Sequence, residues 1–241
     1  MARRPVPAPP PPAKAPTALI GAVVLAAVLL VGLVVYVATR SSVDPAVGGS
    51  PSSLAGGEGI QVPAPADPDL PQVHLYEDFQ CPGCGVLEST SGVAFTQAAE
   101  AGEIQLTYTL MSFLDGYLRN DSSSRAANAA LCADDQGAFA AYHAEVFANQ
   151  PAQEGRGWTD EELVGFSESA GISGAGLDSF TNCLSQDTHG AYVQAMQAKA
   201  NQDGITGTPR VFLDGTELTD QEMAGLQEDP AALAAVLAGR P

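Results

Sequence analysis

Basic side chains are scarce in this chain of 241 residues: ten Lys and Arg stand against 28 Asp and Glu. A formal charge of −18 makes nucleic acid and anionic lipid headgroups poor partners. Histidine is also sparse, and His74, His143 and His189 are scattered without ligand spacing, so each reads as structural or exposed. No second CxxC accompanies Cys81 and Cys84, and Cys132 and Cys183 lie too far apart to supply the other half of a tetrahedral zinc site. No metal and no cofactor is therefore expected. No internal repeat is present. The lone tryptophan, Trp158, follows Gly155-Arg156-Gly157 and reads as the packing anchor of a loop.

Long apolar runs are missing too, with one exception. Ala18 to Ala38 carries no charge, and as a helix it would be roughly 31 Å long, close to the hydrocarbon thickness of a bilayer. A secretory signal has an apolar region of only about 7–15 residues before a small-residue cleavage site. This run is longer, Tyr36-Val37-Ala38 fits such a site poorly, and no cysteine follows closely to accept a lipid. An uncleaved anchor is expected. Arg3, Arg4 and Lys14 precede it and only Arg40 follows, which places the N-terminus in the cytoplasm and the rest outside the cell membrane. Beyond residue 40, six basic residues face all 28 acidic ones, a charge of −22 that serves solubility.

The expected layout is a Pro-rich cytoplasmic tail (1–16), a transmembrane anchor (17–39), a flexible linker (40–71) and a folded domain (72–241). The linker is mostly Gly, Ser, Pro, Ala and Asp, though Gly59-Ile60-Gln61-Val62 could add an edge strand. Val73–Phe79 reads as a strand, Pro82–Ala101 as a helix stopped by Gly102, and Ile104–Leu110 as a second strand. In the helix Val86, Leu87, Val93, Ala94 and Phe95 are the apolar positions. Strand, helix, strand predicts a βαβ unit with parallel pairing. From about 121 to 201 the chain is Ala-rich, helical in spacing and free of strand signals. Helices are predicted over Ser123–Ala133, Ala138–Ala148, Thr159–Gly171, Gly176–Leu184 and Thr188–Ala200, the third opened by the capping box Thr159-Asp160-Glu161-Glu162. Arg210–Leu213, the turn Asp214-Gly215 and Thr216–Leu218 form a hairpin. Asp229-Pro230 opens a last helix.

The chemistry sits in Cys81-Pro82-Gly83-Cys84, at a strand-to-helix junction. Free N–H groups at a helix N-terminus stabilise a thiolate, and a low-pKa thiolate both attacks and leaves well. Such a pair can close, open and exchange disulfides. Pro82 has no N–H to lose and Gly83 adds no side chain; both tune the pair. All four cysteines fall in the outer part, where an oxidising compartment favours disulfides. A Cys132–Cys183 bridge would close a loop of about 50 residues and stabilise by about 4 kcal/mol. Two buried thiols, or a second redox pair, are the alternatives.

Tyr76-Glu77-Asp78-Phe79-Gln80-Cys81-Pro82-Gly83-Cys84, the helical block and Gly207-Thr208-Pro209 before a late strand occur in an order that resembles the DsbA-like branch of the thioredoxin superfamily. The resemblance covers roughly residues 59–241. It implies an α/β thioredoxin-like fold with an all-helical insertion, with Cys81 reactive and Cys84 its buried partner. It also implies a cis Pro209 facing the cysteines, where Thr208 and Pro209 bind substrate backbone. Two features depart from the pattern. Pro-Gly replaces the Pro-His of strongly oxidising members, so Cys81 should be less acidic than theirs. Leu75 occupies the place of a buried carboxylate that assists proton transfer, a role open to Glu77 or Asp78 unless they are ordinary loop carboxylates.

The expected function is a membrane-tethered extracytoplasmic oxidoreductase that forms disulfides in secreted or cell-envelope protein thiols. The resemblance implies reoxidation by a membrane DsbB- or VKOR-type oxidase. A reductase or isomerase is one rival, although no dimerisation domain is recognisable. A binding module whose four cysteines form two permanent bridges is the other.

Overall fold

The computed structural model describes residues 49–62 and 68–239. Its frame is a mixed sheet of β1 (Ile60–Val62), β2 (Gln72–Glu77), β3 (Gln105–Leu110), β4 (Arg210–Leu213) and β5 (Thr216–Glu217), in the order β1-β3-β2-β4-β5. β2 and β3 run parallel, with Leu75 opposite Tyr108 and Glu77 opposite Leu110. The crossover is a continuous helical run: α1 (Pro82–Leu87), a π turn (Glu88–Gly92) and α2 (Val93–Glu100). β4 returns antiparallel beside β2, and the β4–β5 turn uses left-handed conformations at Asp214 (φ 50°) and Gly215 (φ 74°), the pair a tight hairpin requires. β3 is buried at all six positions, as a strand covered on both faces must be.

In the crossover helix the buried stripe is Leu87, Ser91, Phe95 and Ala99, spaced by four. Val86 and Val93 lie off that stripe and are 48% and 66% exposed, so they are not the core positions their apolar character suggests.

The helical block comprises α3 (Leu114–Leu118), α4 (Ser122–Asp134), α5 (Phe139–Ala148), α6 (Asp160–Ser169), α7 (Ala175–Ser185) and α8 (Gly190–Gln202). Thr159 and Glu162 form the expected reciprocal capping box. α4 is the block's centre: Ala126, Ala127, Ala129, Ala130 and Ala133 are all fully buried, and their small side chains let neighbouring helices approach closely. Trp158 is buried and donates its indole N–H to the Asn149 carbonyl at 3.0 Å, so it does anchor its loop.

Three boundaries need correction. The linker expected over 40–71 is shorter, because residues 49–62 pack onto the domain. β1 pairs antiparallel with β3, Ile60 is fully buried, Ser52 donates through N and Oγ to Asp134 at 2.8 Å each, and Gly57 lies so close to the Ala195 backbone that a Cβ would collide. Gly and Ser content signalled coil there, and tertiary contacts overrode it. A helix α9 (Asp220–Glu228) follows β5 where none was expected; its capping box, Thr219 with Glu222, has the same spacing as the one recognised at Thr159. The last helix, α10, is Ala232–Ala238 and starts after Asp229-Pro230, with Asp229 Oδ1 accepting from the Ala231 N–H at 2.9 Å. Among the described residues no helix is long and apolar enough to cross a membrane. The expected tail (1–16) and anchor (17–39) lie outside the described residues.

Candidate active site

β2 ends at Glu77, and a turn carries the chain to the head of α1. Cys81 is the N-cap residue, Pro82 occupies the first turn, and Cys84 is one turn in. The turn is held from several sides. The Cys81 N–H donates to the Asp78 carbonyl at 2.8 Å, and the Gln80 N–H to Asp78 Oδ1 at 2.9 Å. Gln80 and Asn120 exchange amide hydrogen bonds at 3.0 and 2.9 Å, which ties the turn to the helical block. Gln150, just past α5, donates to the carbonyls of both Phe79 (2.8 Å) and Cys81 (2.9 Å).

The segment before β4 comes from a distant part of the sequence to face this turn. The Thr208–Pro209 peptide is cis, and Cys81 Sγ donates to the Thr208 carbonyl at 3.3 Å. A Cβ placed on Gly83 would sit 3.1 Å from Pro209 Cδ, so glycine there fits against the proline ring without adjustment. The structure thus brings together Cys81, Pro82, Gly83, Cys84, Thr208 and Pro209. Cys132 and Cys183 are elsewhere, joined by a disulfide between α4 and α7 with Cα atoms 5.8 Å apart. Cys81 and Cys84 are free thiols, the open state of the pair.

The two free sulfurs differ sharply. The Cys81 pKa is lowered to about 6, first by the hydrogen bond from the Cys84 thiol, which outweighs the opposing effect of burial. The Thr208 side chain and the N–H groups of Cys84 and Gly83 add to the lowering. Cys84 is completely buried, and burial pushes its thiol well up; the neighbouring Glu77 and Cys81 charges push the same way. One sulfur is a thiolate near neutral pH, largely but not completely buried, while the other must lose a proton before it can attack.

Beneath Cys84 lies a buried ionisable cluster. Glu77 and Glu88 both have pKa values raised to about 8, with desolvation the main cause. His143 from α5 sits between them, Nε2 3.0 Å from Glu77 Oε2 and Nδ1 3.7 Å from Glu88 Oε2, and burial holds its pKa below the ordinary value. Asp78, also buried, is raised to about 7 by desolvation and accepts from Ser123 Oγ at 2.6 Å. Neither Glu77 nor Asp78 is an ordinary loop carboxylate. The sequence reading missed Glu88, set His143 aside, and passed over Gln80 and Gln150. Glu88 was hidden by its place in an apolar helix. His143 was hidden because it lies 59 residues beyond Cys84, on a helix of the inserted block.

A parallel-paired βαβ unit, a late hairpin, an unequal dithiol at a helix N-terminus and a facing cis-proline define a thioredoxin-fold redox domain. A thioredoxin family model matches residues 67–228, and the chain belongs to that family. Among curated proteins no sequence match is found. Solved structures do match. The disulfide bond oxidoreductase DsbG of Mycobacterium tuberculosis is 27% identical with a TM-score of 0.61, the match covering 77% of this chain and 88% of that one. The thiol-disulfide oxidoreductase MdbA of Corynebacterium diphtheriae is 26% identical with a TM-score of 0.60, covering 74% and 89%. DsbA of Mycobacterium tuberculosis is 26% identical with a TM-score of 0.55, covering 76% and 96%. The chain is a DsbA-like protein thiol–disulfide oxidoreductase.

Proposed function

We propose that the chain is a membrane-tethered, extracytoplasmic oxidase that forms disulfides in secreted or cell-envelope proteins through Cys81 and Cys84. A substrate thiolate attacks Cys81 of the closed pair, and Cys84 leaves and takes up a proton. The second substrate thiolate then attacks the substrate sulfur of the mixed disulfide and displaces Cys81. Two electrons pass from substrate to the pair. Thr208 and Pro209 offer backbone to an extended substrate segment, while Pro82 and Gly83 tune the pair. A membrane DsbB- or VKOR-type oxidase would reclaim the electrons, and tethering through residues 17–39 would hold both partners in one plane at raised effective concentration.

The observation that carries the direction is the Cys81 pKa of about 6. A stabilised thiolate favours the reduced enzyme and therefore oxidation of the substrate. Equilibration against a glutathione buffer tests it. A potential well above about −270 mV, thioredoxin's value, supports the oxidase, and a value at that level would defeat it in favour of the reductase. The Pro-Gly dipeptide, which lacks a histidine beside the thiolate, is the feature that favours that second reading. A Cys84→Ala variant should accumulate substrates as mixed disulfides on Cys81.

A further inference from the structure

We propose that Glu88 and His143 are positioning residues of a proton relay that serves Cys84 through Glu77 and opens on a groove behind the dithiol. This rests on the redox role proposed above for the cysteine pair.

Every two-electron cycle must place one proton on Cys84 and later remove it. Cys84 has no exposure, so bulk water does not reach it directly. Glu77 is the buried carboxyl whose charge acts on Cys84, and it too has no exposure. An acid sealed in this way can serve one turnover but must then exchange its own proton. His143 and Glu88 supply the continuation. The imidazole bridges the two carboxyl groups, with one nitrogen toward each. A neutral imidazole donates at one nitrogen and accepts at the other, so it can pass a proton by changing tautomer. The Glu77 and Glu88 carboxyl groups also lie within hydrogen-bond reach of each other, and the Tyr108 hydroxyl beside them is unpartnered. Two buried carboxyl groups this close titrate as a pair, and a proton lying between them is shared. Cys81, Cys84, Glu77, Glu88, His143 and Tyr108 are the titratable groups that face one another here.

The outlet is visible. A groove of about 460 Å³ between the π turn with α2 and helix α5 is lined by Glu88, Gly92, Val93, Ala140, His143 and Phe147, among others. None of its lining residues belongs to the cysteine pair or to Thr208-Pro209. The π turn begins at Glu88 and ends at Gly92, and a side chain at Gly92 would run into the Glu88 carboxylate. The backbone irregularity and the glycine together make the space that the acid occupies. Protons would thus enter and leave at the back while a docked substrate covers the front.

During oxidation of substrate, Cys84 leaves as a thiolate and takes the proton of Glu77, which regains one through His143 and Glu88 from groove water. During reoxidation the path reverses: Cys84 gives its proton to Glu77 and its thiolate attacks the mixed disulfide on Cys81.

The two half-steps can be timed separately with the aromatic disulfide dithiobis(nitrobenzoate) and the fully reduced protein. Cys81 attack releases the first nitrothiobenzoate. Cys84 attack on the resulting mixed disulfide closes the pair and releases the second. Glu88→Gln and His143→Gln should leave the first phase unchanged and slow the second by about a hundredfold near pH 7, the lower end of lost acid–base assistance. The deficit should shrink as pH rises and Cys84 ionises unaided. A normal first phase with an unchanged second phase, or equal slowing of both, overturns the relay alone. An unreactive Cys81 in the unaltered protein sinks the redox reading and the relay with it. Should both variants fail to fold, the solvent deuterium isotope effect on the second phase of the unaltered protein decides: none overturns the relay. A stoichiometric divalent metal in the purified protein, lost in Glu88→Gln, would also overturn it, because the three ligand atoms lie within 4.8 Å of one another.

Discussion

The chain carries two pairs of cysteines in one domain, and their surroundings assign them opposite behaviour. Cys81 and Cys84 share one helix turn, face a segment from the far end of the chain, and have pKa values driven apart by hydrogen bonding on one side and burial on the other. Cys132 and Cys183 are separated by 51 residues and cross-link two helices of the block. Near them His189 binds Asp135 at 2.7 Å, and both cysteines lie within their helices rather than at an N-cap. A short loop costs little entropy to close or open, whereas a long one constrains the unfolded chain strongly. Reactivity and stability are thus assigned to different sulfurs by loop length and local field.

That contrast can be broken most directly at Cys81. Cys81→Ser should reduce dithiol oxidation by about a thousandfold or more, as expected for a lost nucleophile, while its thermal unfolding stays close to that of the reduced parent protein. The paired replacement Cys132→Ala/Cys183→Ala should do the reverse. Its unfolding free energy in urea should fall by about 4 kcal/mol, with the rate of dithiol oxidation within a few-fold of the original. Loss of activity in the second variant at full folding would mean that the second pair relays electrons. A smaller effect sharpens the comparison. Thr208→Val removes a hydroxyl available to the Cys81 thiolate, and should raise that pKa by about one unit and lower the reduction potential by about 30 mV.

Much of this was legible beforehand because the informative features are local. The CxxC, the glycine and proline punctuation and the Thr159 capping box each fix structure within a few residues. Strand β4 was located residue for residue, since Arg210-Val211-Phe212-Leu213 is bounded by Pro209 and a turn-forming Asp214-Gly215. What stayed hidden depends on long-range packing. Ile60 enters the core from a segment whose composition reads as coil. Val86 and Val93 look like core and are not, because the neighbouring stripe wins the sheet. The reactive sulfurs could be named and Glu77 stood as a candidate acid, but the cluster around it could not be seen, since Glu77, Glu88 and His143 are assembled from a strand, a π turn and the inserted block.

The buried cluster also separates the two regions by their response to pH. In the oxidised protein neither cysteine pair titrates, so the acids can be read alone. Glu77 and Glu88 have folded pKa values near 8 against an ordinary 4.5, so the folded state binds more protons than the unfolded state between those limits. Their contribution to stability is therefore fully present below about pH 4.5 and is lost as pH rises through about 8. Asp78, raised to about 7, acts in the same sense. His143, lowered by burial, acts in the opposite sense, but only below its ordinary value of 6.5. The clearest window thus lies between about pH 6.5 and 8, where the urea midpoint of the oxidised protein should fall as pH rises. Glu88→Gln removes one proton-binding site and should flatten that fall. Cys132→Ala/Cys183→Ala should lower the whole curve without changing its slope, because the bridge holds the helical block and not the acids. An equal slope in Glu88→Gln and the parent protein would show that the carboxyl pair is ionised in the folded state, contrary to its burial.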